Sequence, residues 1–276
     1  MDLTIEEIEE LGYYDFMAYL EVPFFNIGGA PSMDILAERC GINEESHVLD
    51  VGCGTGGNAV YLAEHFGCRV TGIDISELMI EQANNRVSEH ELKDKLDFHV
   101  GDAYKLDFPD ENFDVVLTIF VSQFLDLQKA FPEFRRVLKP GGYLGINEMY
   151  RLGDVAEEDL EKVDYAEEVF RNLTELPFSI RSPETWERGF SDAGFVDVEV
   201  ESFSEFLDLQ RGLDMIKEMG GWVNLLRILW RTYSLALKSK KIRTRYGKMN
   251  RGKNVMFRDK QTSKYFGYVL GVGRKI

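Results

Sequence analysis

The stretch Val48-Leu49-Asp50-Val51-Gly52-Cys53-Gly54-Thr55-Gly56-Gly57 constrains this chain more than any other feature. A strand-like apolar run enters a turn rich in glycine, and a helical pattern follows through residue 66. Glycine at this density suits a backbone that adopts positive φ angles and lies close against a ligand. The helix behind such a turn directs its unpaired N–H groups back toward it. A lone strand–turn–helix unit cannot bury its own apolar faces, and further units follow. Residues 68–74, 96–102, 113–120 and 143–148 read as short buried strands, and residues 77–87 and 129–138 as amphipathic helices between them. Alternation at this spacing predicts an α/β fold with a doubly wound, mostly parallel sheet and right-handed crossovers.

After Tyr150 the pattern changes. Residues 157–172 form an acidic helical run, and Ser182-Pro183-Glu184 marks another helix start. Residues 195–202 and 265–274 alternate as strands. The sixty or so residues between them, 203–264, are far more than a connection needs, so this insertion must have structure of its own. Its first half spaces Leu213, Ile216, Trp222, Leu225, Leu226, Leu229, Trp230, Tyr233 and Leu237 as a helix would. Its second half is basic. The chain carries 32 Lys/Arg against 48 Asp/Glu, a formal net charge of −16. Residues 227–264 hold 13 Lys/Arg and one acid, Asp259, so they contribute +12 and the remainder −28. So acidic a remainder argues against a general polyanion binder. The expected organisation is a helical lead-in and lid over residues 1–47, with Ser32 capping a helix at 33–40. A cofactor-binding body follows over 48–202 and 265–276, with 203–264 as a substrate cap.

Gly52, Gly54 and Gly57 satisfy the dinucleotide fingerprint G-x-G-x-x-G, and Asp74 ends the second strand twenty residues after Gly54. An acid there suits ribose hydroxyls of any nucleotide, so these residues alone admit a nicotinamide dinucleotide. Four motifs in order, VLDVGCGTGG, GIDIS, HVGDA and LKPGG, narrow the choice. Together they resemble the signature of class I S-adenosylmethionine-dependent methyltransferases over roughly residues 14–150. The resemblance implies a Rossmann-like, seven-stranded sheet whose last strand is antiparallel, with a helical insertion before that strand. It implies S-adenosylmethionine as cofactor, its methionine end held by Asp50 and the backbone of Gly52, Cys53 and Gly54. Asp74 then takes the ribose hydroxyls, Ile75 lies against the adenine, Asp102 accepts from the adenine amino group and Ala103 offers a backbone contact. Ile119 and Gln123, around the end of the fourth strand, complete that set. The lead-in is similar to the phosphoethanolamine and quinone-biosynthesis branches, where an aromatic residue and a Gly-Gly segment close over the cofactor. Tyr14 and Gly29 match them. The histidine that partners the tyrosine in the phosphoethanolamine branch is absent; Ser122-Gln123-Phe124-Leu125 stands there instead. Tyr14 therefore reads equally as a packed aromatic.

Methyl transfer from a sulfonium is an in-line displacement at an already activated carbon, so positioning and exclusion of water dominate. A base helps only where the nucleophile bears a proton of high pKa. Glu148, at the carboxyl end of the fifth strand, is the first candidate catalytic residue and Tyr14 the second; Glu148 reads equally as a solvated strand-end carboxylate. The expected acceptor is a small molecule or a lipid-like compound selected by the insertion. Three uses of the insertion stand side by side: a lid over an apolar acceptor, a basic surface resting on an anionic membrane through 227–264, or helices packed on the sheet with solvated lysines. Among competing enzymes, an RNA methyltransferase is the alternative reading: the basic block favours it, whereas the acidic remainder and Thr118-Ile119-Phe120-Val121, in the place of an Asn/Asp-Pro-Pro-Tyr/Phe motif, speak against it. A non-catalytic S-adenosylmethionine-binding module and a nicotinamide-dependent oxidoreductase are also compatible with the glycine turn. Cys40, Cys53 and Cys68 have no metal or disulfide spacing, and no metal is expected. The acidic start and the lack of an 18–20-residue apolar run point to a cytoplasmic protein. No feature speaks to oligomeric state.

Overall fold

The computed structural model describes residues 3–22, 26, 28–89, 92–204, 213, 214, 216, 217 and 220–276. Seven strands form one sheet in the order β3-β2-β1-β4-β5-β7-β6. They are β1 (His47–Val51), β2 (Arg69–Asp74), β3 (Leu96–Val100), β4 (Phe113–Ile119), β5 (Leu138–Arg151), β6 (Val196–Phe203) and β7 (Phe266–Arg274). Pairing is parallel from β3 through β5, whereas β7 runs antiparallel between β5 and β6. This is the doubly wound sheet the sequence predicts. β1 and β4 are covered on both faces, which is why they are mainly apolar rather than alternating. Edge strand β6 alternates between partly covered and exposed residues.

Helices clothe both faces. On one side α3 (Gly29–Arg39), α4 (Gly57–Phe66) and α5 (Glu77–Glu89) bury Met33, Leu36, Leu62 and Ile80 against the sheet. On the other, α6 (Leu127–Val137) and α8 (Pro183–Asp192) bury Phe131, Phe134, Trp186 and Phe190. The Trp186 indole N–H donates to the Met149 carbonyl at 3.0 Å. Ser182 caps α8, as its position before Pro183 predicts.

The lead-in differs from expectation. α3 starts at Gly29, with Gly28 as its N-cap at φ +82°, and Ser32 is not the cap. Ser32 is buried inside the first turn, and its hydroxyl donates to the Gly29 carbonyl at 2.7 Å. A side chain at Gly28 would strike the Tyr268 ring at 2.7 Å, so close packing sets this helix start. The strand expected to begin after Lys139-Pro140-Gly141-Gly142 begins at Leu138, and a register shift against β4 between Phe113 and Val115 absorbs the glycines.

Residues 205–212, 215, 218 and 219 of the predicted insertion lie outside the described part. Beyond them stand α9 (Gly221–Lys238) and α10 (Lys240–Phe257), joined at Ser239. Neither extends the apolar surface of the sheet, contrary to the expectation of helices packed upon it: Leu229 and Tyr233 are exposed. Instead Leu235, Ile242 and Met249 join Val169 and Leu173 of α7 (Glu157–Thr174) in a separate cluster. That cluster also holds Ile8 of α1 (Ile5–Glu10) and Tyr13, Phe16 and Met17 of α2 (Tyr13–Tyr19). Ion pairs reinforce the contact: Glu21 with Arg227 (2.8 Å) and Arg231 (2.9 Å), and Glu10 with Lys241 (2.7 Å). Arg245 donates to the Leu11 carbonyl at 2.8 Å, and the Ser239 hydroxyl donates to Glu9. The charges of the insertion thus clasp the start of the chain.

Candidate active site

At the carboxyl ends of β1, β2 and β4, where the strand order reverses direction, lies a cavity of about 470 Å³. Ligands of doubly wound sheets collect at such a switch point. Its floor is the turn after β1. The Gly52 and Cys53 N–H groups donate to the Ile73 carbonyl at 2.7 and 2.9 Å, and the Gly54 N–H donates to Asp74 Oδ2 at 3.0 Å. Gly52 has φ +74°, and a Cβ there would lie 2.4 Å from Val121 Cγ2. Only glycine lets the turn fold tightly under the end of β4. The Thr55 hydroxyl donates to the Val22 carbonyl at 3.1 Å, joining the lead-in to the same turn.

Asp74 is fixed twice, since its Oδ1 also accepts the Ser76 N–H at 2.9 Å. Burial pushes its carboxyl above the ordinary range, and these backbone donors oppose that rise. Ser76 in turn donates to Asp15 of α2. Asp102 accepts the Tyr104 N–H at 2.9 Å in a tight turn and caps no helix. Ile75 lines the cavity with 76% of its surface exposed. The opposite wall is apolar and aromatic: Tyr13, Tyr14, Phe120, Phe124, Leu125, Leu176 and Pro177. Tyr14 stands edge-on to Phe124, with ring centroids 5.5 Å apart. Burial first, then the neighbouring Tyr13, Glu148 and Asp74, hold its hydroxyl well above its usual pKa, so it stays protonated.

Of the residues singled out from sequence, Tyr14, Gly52, Cys53, Gly54, Asp74, Ile75, Asp102, Ala103 and Ile119 come together around this cavity. Four do not line it. Asp50 lies buried beneath the turn with neither carboxylate oxygen hydrogen-bonded, and burial and then Asp74 push it up to about 7. The turn hangs on β2 rather than on Asp50. Gly29 starts α3 and accepts from Ser32 and, at 3.2 Å, from Asn26 Nδ2. Gln123 is wholly buried with both amide atoms unpartnered, while its carbonyl accepts the Ser179 N–H at 3.0 Å.

Glu148 is neither solvated nor at the cavity. It is fully buried, and Oε1 accepts the N–H groups of Val121 (2.9 Å) and Ser122 (2.6 Å). Burial pushes it up to about 8 despite these donors, and Oε2 has no partner. It props the turn in which Phe120, at φ +61°, reaches the cavity. Sequence reading missed Asp15, Met79 and the wall from Thr174, Leu176 and Pro177. That wall comes from the end of α7 and carries no motif. Among the described lining residues there is no Lys or Arg.

A Rossmann-like sheet, a glycine turn at its switch point and an acid at the end of β2 define a nucleotide-cofactor site, and the antiparallel β7 between β5 and β6 is the sheet ending that the methyltransferase resemblance implies. A family profile described as a methyltransferase domain matches residues 49–146. An uncharacterised protein of Haemophilus influenzae is 30% identical over 224 residues, covering 79% of this chain and 85% of that protein. Sterol 24-C-methyltransferase of Debaryomyces hansenii is 30% identical over 84% of this chain, which spans 60% of that enzyme. The fold also matches Haemonchus contortus phosphoethanolamine N-methyltransferase 2, solved with phosphomonomethylethanolamine and S-adenosylhomocysteine. The TM-score is 0.70 at 21% identity, over 99% of this chain and 61% of that one. The chain belongs to the class I S-adenosylmethionine-dependent methyltransferases, and S-adenosylmethionine is its cofactor.

Proposed function

We propose that the chain methylates a small, largely apolar acceptor, uncharged or cationic at its reacting end, by in-line displacement within the cavity described above. The observation that carries this reading is the division of one cavity into two chemistries. Carboxylates and backbone N–H groups crowd the strand-end side, and aromatic and aliphatic side chains form the other. The residues fit the cofactor. Gly54 leaves an open approach, with its nearest would-be Cβ neighbour 3.9 Å away, and Asp74 and Asp102 both line the cavity. Bound there, S-adenosylmethionine supplies a methyl group already activated by its sulfonium.

The chain's own residues then position and exclude. Asp74 holds ribose hydroxyls, Ile75 and Ala103 cover the adenine, and Asp102 accepts from its amino group. Tyr13, Tyr14, Phe124 and Leu176 orient the acceptor and keep water out. Tyr14, protonated throughout the physiological range, donates a hydrogen bond and takes no proton. Glu148 acts through the Phe120–Ser122 turn as a positioning residue. The described lining carries carboxylates and no Lys or Arg, which supports an acceptor that is uncharged or cationic at its reacting end. The sterol methyltransferase relative supports an apolar acceptor. In this reading residues 1–47 and 203–264 cap a body formed by 48–202 and 265–276.

Calorimetric titration with S-adenosylhomocysteine, beside NADH and with Asp74→Ala as control, tests the site. Micromolar binding lost by about tenfold or more in the variant is expected, because two charge-assisted hydrogen bonds disappear. Unchanged affinity in Asp74→Ala refutes the assignment.

A further inference from the structure

Helix α9 is apolar on two opposite sides. Its inner side, Ile228, Thr232 and Leu235, is buried against the protein. Its outer side carries Trp222, Leu226, Leu229, Trp230, Tyr233 and Leu237, each between 47 and 71% exposed. At 100° per residue these six fall within one arc of about 100°, and no polar residue interrupts it. Exposing two tryptophans and a tyrosine on one helix face serves no folding purpose, and a contiguous patch of this kind marks an interaction surface.

The charges say which partner fits. Arg227 and Arg231, both paired with Glu21, and the exposed Lys238 share one flank of the stripe. Past its last residue, Leu237, follow the exposed Lys238, Lys240, Lys241 and Arg243. The stripe thus opens the one basic stretch, +12 over residues 227–264, in a chain that is otherwise −28. A second copy docking on this face would bring two such basic stretches together, which like-charge repulsion opposes. An anionic lipid surface meets both needs. Tryptophan and tyrosine settle at the depth of the headgroups, leucines enter the acyl boundary, and lysines attract the anionic leaflet. The helix lies in the surface and does not cross it. It is held to the protein by the Glu21 pairs with Arg227 and Arg231, and no helix among the described residues is long and apolar enough to span a membrane.

We infer that the outer face of α9 seats the protein on an anionic lipid surface. The inner side of that helix belongs to the cluster that includes Tyr13, a residue of the cavity wall. Leu235 thus joins the docking helix to the cavity wall through one packed cluster, and a lipid-dissolved acceptor reaches the cavity from that side. This last step rests on the apolar-acceptor reading above; the docking itself does not.

The test is cosedimentation of the full chain with vesicles of phosphatidylcholine alone and of phosphatidylcholine with phosphatidylglycerol, at low and high salt. Leu226→Gln/Trp230→Gln is the comparison. Both positions are exposed, so a circular dichroism melt should leave the variant unchanged. Expected are binding to the anionic vesicles, weaker binding without phosphatidylglycerol or at high salt, and a loss of about tenfold or more in the variant. No binding to either vesicle overturns the inference, as does equal binding by the variant, which would assign the attraction to charge alone. Sedimentation equilibrium without lipid supplies a further arm: a dimer that dissociates in the variant makes a second copy the occupant and overturns it too. Binding of S-adenosylhomocysteine, measured on the same samples, separates failure of docking from failure of the cofactor site.

Discussion

Replacing Glu148 by glutamine separates a base from a prop. Burial outweighs the backbone donors and the nearby Arg181 charge, and this carboxyl rises from 4.5 to about 8 in the folded chain. A folded-state pKa above the unfolded value means that the native state binds the extra proton. The group's contribution to stability is complete below pH 4.5 and is lost as pH rises to about 8. Within that window stability falls by up to about 1.4 kcal/mol per pH unit, or on the order of a few kcal/mol across it. A glutamine at this position cannot titrate, and its amide oxygen still accepts the Val121 and Ser122 N–H groups. Urea unfolding of both proteins from about pH 5 to 9 should therefore show the Glu148→Gln variant gaining on the wild type as pH rises. Asp50, which titrates at about 7 with the same sign, is present in both and cancels in the difference. Glu148→Ala, by contrast, leaves two buried N–H groups unpaired at about 1–3 kcal/mol each, besides a void. Turnover should survive in the glutamine variant and fall in the alanine one. Two results would refute this reasoning: a glutamine variant that binds cofactor normally but does not turn over, or one that keeps the wild-type pH slope.

Gly52→Ala sets a Cβ at 2.4 Å from Val121 and forces alanine to φ +74°, so a loss of about 2–5 kcal/mol is expected, read as a lower Tm with weakened S-adenosylhomocysteine binding. Tyr14→Phe keeps the edge-on ring against Phe124, so stability should change by less than about 1 kcal/mol while kcat falls; an unchanged kcat would reduce Tyr14 to a wall residue. All three cysteines are buried, and burial pushes Cys40 to about 12, Cys68 to about 11 and Cys53 well above its usual value. A thiol reagent at about pH 8 should label none of them in the native protein within minutes and all three in urea, whereas fast native labelling would contradict the packing.

The centre of the sheet was legible because strands covered on both faces must be apolar and a turn under β4 must be glycine. Gly52, Gly54, Asp74, Ile75, Asp102, Ala103 and Ile119 were legible for a related reason: they sit at the ends of β1 to β4 or in the turns that follow, where motif order and spatial order coincide. Other residues illustrate what order does not encode. Glu148 ends up under the Phe120–Ser122 turn because the pleat of β5 faces it there, and no motif records which side of a strand end is solvated. Gly28 and Gly29 start α3 without a capping side chain, so Ser32 offered the nearer but wrong signal. Thr174, Leu176 and Pro177 reach the cavity only because α7 carries them there, and α7 is placed by Met249 and the rest of the insertion.

The clasp between the insertion and the first two helices also orders events in time. Leu11, Glu10 and Glu9 meet Arg245, Lys241 and Ser239, residues more than two hundred positions later in the chain. During synthesis the strands up to β5 are available to one another long before those partners emerge, so the floor of the cavity can form while its wall has nothing to rest on. The lead-in that carries Tyr13, Tyr14 and Asp15 has its bonds to Thr55 and Ser76 but must wait for the rest of its packing until residues 239–245 have left the ribosome. Completion of the acceptor side is therefore a late event, and a nascent or truncated chain would have a cofactor floor without a chamber in which to use it.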